Sequence, residues 1–177
     1  MSALAWTIRP VGAGDVPAVA RLHVAVWQVA YRGLLPDAYL DAQSVDRREI
    51  MWRGAVGKDD PPVLVADVAG DIAGFVWCGP ARDEDARPGA TGEVYAIYVA
   101  PDWWGSGVSG ALMAQGLAGL AALGYAEATL WVMRANTRAI HFYTRQGWAA
   151  DGAAKIDRHG DVLFDEVRYR RALAAPP

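Results

Sequence analysis

Residues 93–110 read EVYAIYVAPDWWGSGVSG, and this stretch decides the architecture. Between Glu93 and Val99, Val94, Tyr95, Ile97, Tyr98 and Val99 are β-branched or aromatic and favour an extended strand. Pro101 cannot donate to a strand ladder and ends the strand. Gly105 and Gly107 then form a turn that opens a helix over about Gly107–Leu123. Met113, Leu117 and Leu120 share one stripe of that helix, and Gly124 stops it. A helix N-terminus exposes unpaired N–H groups and about half a positive charge. With glycines to admit close approach, it cradles a phosphate or pyrophosphate without a lysine. No Gly-Lys-Ser/Thr follows, so this is not a Walker loop. No acidic residue lies on a following strand about 20 residues on, as a dinucleotide fingerprint would require.

Upstream, Ala5–Val11 reads as a strand, and Asp15 as the cap of a helix with Pro17 in its first turn. Val16, Ala20, His23, Trp27 and Tyr31 recur at helical spacing, up to a stop at Arg32-Gly33. Pro36 opens a short turn through Leu40, and Ser44 a helix through about Val56. After the loop Gly57–Pro62, Val63–Val68 and Asp71–Gly79 form a hairpin about Ala69-Gly70. The charged stretch Pro80–Thr91 is expected to be a mobile surface loop. Downstream, Ala128–Met133 is a strand, and Asn136 caps a helix that ends near Gln146 at Gly147. Ala149–Ile156 and Val162–Arg170 form a second hairpin turning at Asp157–Gly160. The order β-α-α-β-β-β-α-β-α-β-β predicts an α/β fold, a mixed sheet with helices on both faces.

At 177 residues and 53% hydrophobic content, the chain fits one core, hence a single domain over 1–177. A net charge of -3 argues against a nucleic-acid partner. The lone Cys78 excludes an internal disulfide and a multi-thiolate metal site, and is expected to be a small buried side chain. The first residues lack a signal peptide's basic and apolar pattern, and no apolar run approaches the ~20 residues of a membrane span. A soluble cytoplasmic protein with no metal and no membrane partner is the expectation. The eight tryptophans are expected to pack in the core or to cover a pocket.

Glu93–Pro101 followed by Gly105-Ser-Gly107-Val108 resembles the core motif of the GNAT superfamily of N-acetyltransferases. Asn136, Ala139, Phe142, Tyr143 and Gly147-Trp148 resemble its second motif, and Trp27–Leu40 resembles the acceptor-side segment of a bacterial subgroup. The resemblance covers almost the whole chain. It implies a mostly antiparallel twisted sheet flanked by helices, acetyl-CoA as donor, and by analogy a homodimer. The pyrophosphate would sit on the amides of Gly105, Ser106, Gly107, Val108, Ser109 and Gly110, with Trp104, Asn136 and Tyr143 as further carrier contacts. The pantetheine arm would pair with the Ile97–Tyr98–Val99 backbone like an added strand. Two residues depart from the family pattern: Trp104 stands where Arg or Gln is usual, and Ser109 where Gly or Ala is usual.

Amide formation from a thioester needs a neutral amine, a held oxyanion and a proton for the departing thiolate. Period-two alternation places Glu93, Tyr95, Ile97 and Val99 on one face, so Glu93 is a candidate base on the pantetheine side. The other readings are a solvent-facing or arginine-paired carboxylate, with His23 as the rival base. Tyr143, two helical turns from Asn136, matches the family residue near the CoA sulfur and is the candidate acid, or else a core aromatic. Asn136 caps its helix, contacts the carrier, or both. The Ile97 N–H is the candidate oxyanion donor. Trp27, Tyr31, Tyr39, Glu93 and the Pro80–Thr91 loop are expected to line the acceptor pocket for a small-molecule or peptide amine. Asp37 and Asp41 either attract a cation or are simply solvated. The competing functions are a non-catalytic acyl-CoA-binding protein and a tryptophan-rich interaction module.

Overall fold

The computed structural model describes residues 5–58 and 61–174. The opening Met1–Leu4 and part of the predicted loop Gly57–Pro62 lie outside the described residues. Seven strands form one sheet: β1 Thr7–Pro10, β2 Leu64–Val68, β3 Asp71–Pro80, β4 Thr91–Val99, β5 Glu127–Met133, β6 Ala149–His159 and β7 Val162–Ala172. Their order is β1-β2-β3-β4-β5-β7-β6. Every pairing is antiparallel except β4 with β5. The helices are α1 Val16–Ala30, α2 Asp37–Asp41, α3 Val45–Ala55, α4 Val108–Ala122 and α5 Thr137–Arg145.

The sheet is covered on both faces. Val108, Leu112, Met113, Leu117 and Leu120 of α4 pack with Val76, Cys78, Val94 and Val99. Gly116 lets α4 sit low on β3, since a Cβ there would lie 3.0 Å from the Cys78 sulfur. Val19, Ala20 and Trp52 from α1 and α3 cover Val65 and Phe75 on the opposite face. Cys78 is buried, and burial pushes its thiol pKa up to about 12, so it is an inert core residue.

Local chemistry sets the ends of the elements. The Ser44 hydroxyl accepts from Arg47 N at 3.3 Å, and Asn136 Oδ1 accepts from Ala139 N at 3.1 Å. Ala69 (φ 53°) and Gly70 (φ 97°) both take left-handed backbone in the β2–β3 turn, the arrangement that suits twisted strands. Asp15 does not cap α1 as expected. Its carboxylate reaches back to Gly12 N at 2.7 Å and to Arg9 at 2.7 and 2.9 Å, closing a 3₁₀ turn before the helix. The second hairpin is also longer than expected. It turns at Gly160 and Asp161, because β6 and β7 stay paired to His159↔Val162.

The stretch between β3 and β4, expected to move freely, is fastened by its charges. Arg168 of β7 holds Asp83 at 3.0 Å and Asp85 at 2.6 Å, while Arg87 reaches Glu127 at 3.0 Å. Pairing replaces solvation here because Arg168 is buried and its charge needs partners. No helix among the described residues is long and apolar enough to cross a membrane.

Candidate active site

The site begins where two strands part. β4 and β5 pair only at Thr91↔Glu127, Gly92↔Ala128 and Glu93↔Thr129. Just beyond, β4 carries a bulge: Trp77 faces Ala96 and Cys78 faces Val94, so Tyr95 is an extra residue. From Val94 onward the β5-facing edge of β4 is therefore open. Ala100 N–H bonds to Ala73 O on the β3 side at 2.8 Å. By alternation, Val99 and Ile97 aim their backbone groups at the open edge.

The bulge corrects the expected face of Glu93. Val94, Ile97 and Val99 pack under α4. Ala96 and Tyr98 pack with α1 and α3, and Tyr95 meets Trp77 of that same layer edge to face. Gly92 backs onto Leu120 of α4, so Glu93 points the other way, toward the α1–α3 face. Strict alternation had put Glu93 with Ile97 and Val99; one inserted residue separates them.

The opening widens into a cavity of about 840 Å³, within the usual range for small-ligand sites. On one side it meets the turn before α4. Gly105 (φ 79°) and Gly107 (φ 94°) take left-handed backbone, and a Cβ at either would meet nothing within 4 Å. No side chain caps α4. Among the described residues, the amides of Gly105, Gly107, Ser109 and Gly110 have no hydrogen-bond acceptor. Ser106 is occupied locally, its hydroxyl donating to Trp103 O at 2.6 Å, and the Val108 side chain is core. Four N–H groups on an exposed turn at a helix N-terminus fit a pyrophosphate. Trp104 lies across this side of the cavity. Its Nε1 donates to Val99 O at 2.8 Å, and the Arg138 guanidinium stacks 3.4 Å from its ring centre.

Tyr143 and Asn136 line the same cavity from α5. Asn136 both caps α5 and faces the cavity. The Tyr143 hydroxyl makes no hydrogen bond among the described residues, and burial pushes its pKa well above the ordinary tyrosine value.

The other side of the cavity is aromatic. Trp27, Tyr31, Tyr39, Trp77, Tyr98 and Trp131 line it, with Phe164 from β7. The Tyr31 and Tyr98 hydroxyls approach to 3.4 Å. The expected trio Trp27, Tyr31 and Tyr39 is thus brought together, and Tyr98 joins it by side chain rather than facing the carrier. Four of the eight tryptophans line the cavity. Glu93 is buried and held by Arg82: Nη2 donates to Oε1 at 2.6 Å, while the backbone N–H and Nε donate to Oε2 at 3.0 and 3.2 Å. His23 is buried among the rings of Trp27, Trp52, Phe75 and Tyr98. Desolvation, then the nearby Arg48, lower its pKa to about 3, so it is neutral and a poor proton acceptor. Asp37 and Asp41 lie outside the cavity and pair with Arg32 at 3.0 and 2.9 Å.

Sequence reasoning missed Arg48, Arg138, Trp131, Lys155, Phe164 and Glu166, whereas Arg82 belongs to the Pro80–Thr91 loop expected at the pocket. Arg138 sits inside the second motif, between Asn136 and Ala139, and the others reach the cavity through helix and strand packing. A weak sign existed for the β6–β7 residues: Lys155, Asp157 and His159 alternate along one strand.

Comparison with known proteins agrees with this geometry. The model of the acetyltransferase (GNAT) family matches residues 25–148. The uncharacterized N-acetyltransferase YuaI of Bacillus subtilis is 31% identical over 137 residues, 77% of this chain and 76% of the relative. A mycothiol acetyltransferase of Propionibacterium freudenreichii is 41% identical over 110 residues, 58% of this chain but only 34% of that longer protein. The fold is shared with the PaiA N-acetyltransferase of Thermoplasma acidophilum, solved in complex with coenzyme A. There the TM-score is 0.71 at 15% identity, covering 95% of this chain and 99% of the other. An N-acetyltransferase of Staphylococcus aureus gives a TM-score of 0.72 at 20% identity, covering 96% and 99%. The family match over most of the chain, on a sheet whose β4 and β5 part beside a glycine turn, shows that the chain belongs to the GNAT acetyltransferase family.

Proposed function

We propose that the protein is an acetyl-CoA-dependent N-acetyltransferase, acting on a primary amine of a small molecule or peptide by direct attack in a ternary complex. One observation carries the proposal: a single cavity joins the amide turn and the open β4 edge to an aromatic pocket. Two substrates can therefore meet without a covalent enzyme intermediate, and the inert Cys78 offers no nucleophile.

The amides of Gly105, Gly107, Ser109 and Gly110 hold the pyrophosphate. Arg138 supplies a cation next to the position where Trp104 replaces the usual Arg. The open-edge groups of Ile97 and Val99 pair with the pantetheine arm, and the Trp104 indole yields Val99 O as the arm enters. Bound acetyl-CoA supplies the thioester carbonyl that the amine attacks. The Ile97 N–H faces the gap and serves as oxyanion donor. An acceptor amine with a pKa of about 8–10 arrives largely as ammonium. A carboxylate has about four acceptor positions; Arg82 takes three on Glu93, leaving one on Oε1 for a water that relays the amine's proton. Tyr143, held protonated by burial and without a partner, gives its proton to the departing thiolate.

A non-catalytic acyl-CoA-binding protein with an altered carrier loop is the second reading, resting on Trp104 and Ser109, which depart from the family pattern. Release of CoA thiol, followed against a panel of primary amines, separates the two. Amine-dependent release supports the enzyme; acetyl-CoA binding with no release for any amine supports the binder.

A further inference from the structure

Most cations around the cavity are matched or lie on the carrier side. Arg82 pairs with Glu93, and Lys155 with Asp157 at 3.0 Å and Glu166 at 3.4 Å. Arg138 and Arg145 belong to α5, next to the amide turn. Arg48 is different. It rises from α3 on the acceptor side, its guanidinium 5.0 Å from the Trp27 ring centre. Its partners are neutral: Gln43 Oε1 at 3.1 Å and, more weakly, Met51 Sδ at 3.8 Å. Among the described residues no carboxylate pairs with it, and its Nε–H makes no hydrogen bond. His23, within reach of the Arg48 charge, is neutral and offers no counter-charge. A half-buried guanidinium without an anion is costly, and its planar fork suits carboxylate or another oxyanion.

The opposite charge lies elsewhere in the same cavity. Glu93, Asp157 and Glu166 line it, and Tyr98 feels both Arg48 and Glu166. Those carboxylates already have Arg82 and Lys155 as partners, so on the α3 side Arg48 stands without a carboxylate among the described residues. Between them stand the rings of Trp27, Tyr31 and Tyr98.

We propose that Arg48 is a specificity-determining residue that binds an oxyanion on the acceptor, so that the acceptor is a small amine that also carries a carboxylate or phosphonate. The inference rests on the acetyltransferase reading of this cavity and narrows its substrate class. The amine end lies toward Glu93, and the anionic end is anchored over Trp27. Amides and esters of the same compounds lose the anchor.

The test compares matched acceptors: aromatic and aliphatic amino acids, their carboxamides, and the corresponding aminophosphonates. CoA release gives kcat/KM for each. The expected result is a preference for the anionic member of each pair, which falls by about 10- to 100-fold in Arg48→Gln and is partly restored in Arg48→Lys. Amino acids and aminophosphonates rank which oxyanion fits. Circular dichroism checks that each variant is folded. Calorimetric titration of the CoA-bound protein with the same compounds provides a readout independent of turnover. Binding of the anionic members that Arg48→Gln abolishes upholds the proposal even if no acetyl transfer occurs, in which case the enzyme reading alone fails. Acetyl transfer with equal use of acids and carboxamides, or a preference unchanged in Arg48→Gln, overturns the proposal and leaves the enzyme reading standing. Neither binding nor transfer for any anionic amine also overturns it.

Discussion

In the reaction proposed above, Tyr143 and Glu93 divide the proton chemistry by their surroundings. Tyr143 has a free hydroxyl that burial keeps protonated, whereas Glu93 has its carboxylate nearly saturated by Arg82. Tyr143→Phe removes only the hydroxyl. It is expected to lower kcat by roughly 10²-fold while leaving the acetyl-CoA Kd nearly unchanged, as steady-state kinetics with calorimetry would show. Glu93→Gln keeps the shape but not the charge, and is expected to lower kcat/KM by roughly 10-fold or more. An unchanged kcat/KM removes Glu93 from the proton path. That both residues reach one cavity was legible in the sequence, through motif position and helical spacing. The direction of Glu93 was not, because the Tyr95 bulge reverses the alternation on which period-two reasoning depends. Arg48 was not legible either. In sequence it is one arginine in a charged helix, and only folding sets it over Trp27 away from every carboxylate.

At the scale of elements, glycines and caps speak locally, so the sequence located them well. The Ser44 and Asn136 caps, the Ala69-Gly70 turn and the turn before α4 lie where local chemistry requires them. The stretch between β3 and β4 was misjudged because its stabilising partner, Arg168, lies 85 residues beyond Asp83. Trp104 belongs to this scale as well. Its indole N–H occupies the Val99 carbonyl that the carrier arm would use. Trp104→Phe keeps the ring for Arg138 and frees that carbonyl. A single neutral hydrogen bond contributes about 0.5–1.5 kcal/mol, so acetyl-CoA should bind roughly 2- to 10-fold tighter. Weaker binding would mean that the indole helps hold the carrier.

Across the whole molecule, the sheet's two covered faces were predictable from the order of elements, but the parting of β4 and β5 was not. That gap depends on long-range pairing, which ends after three residue pairs. The α1–α3 face also carries an acid-sensitive residue. His23 titrates near 6.5 when unfolded and near 3 when folded. The unfolded chain binds the proton first, so stability falls as pH drops from about 6.5 toward 3. His23→Leu should lose less stability than wild type between neutral pH and pH ~4.5, by on the order of 2 kcal/mol in urea titrations. Equal losses would show that His23 is not held neutral by its burial. The central claim is that the parted strands and the amide turn hold an acyl-CoA. Calorimetric titration with acetyl-CoA tests it most directly, on wild type and on Gly107→Val, whose side chain the left-handed turn cannot accept. Saturable binding with a Kd between about 1 μM and 1 mM is expected, abolished in the variant. No heat at millimolar acetyl-CoA, or equal binding by both proteins, would contradict it.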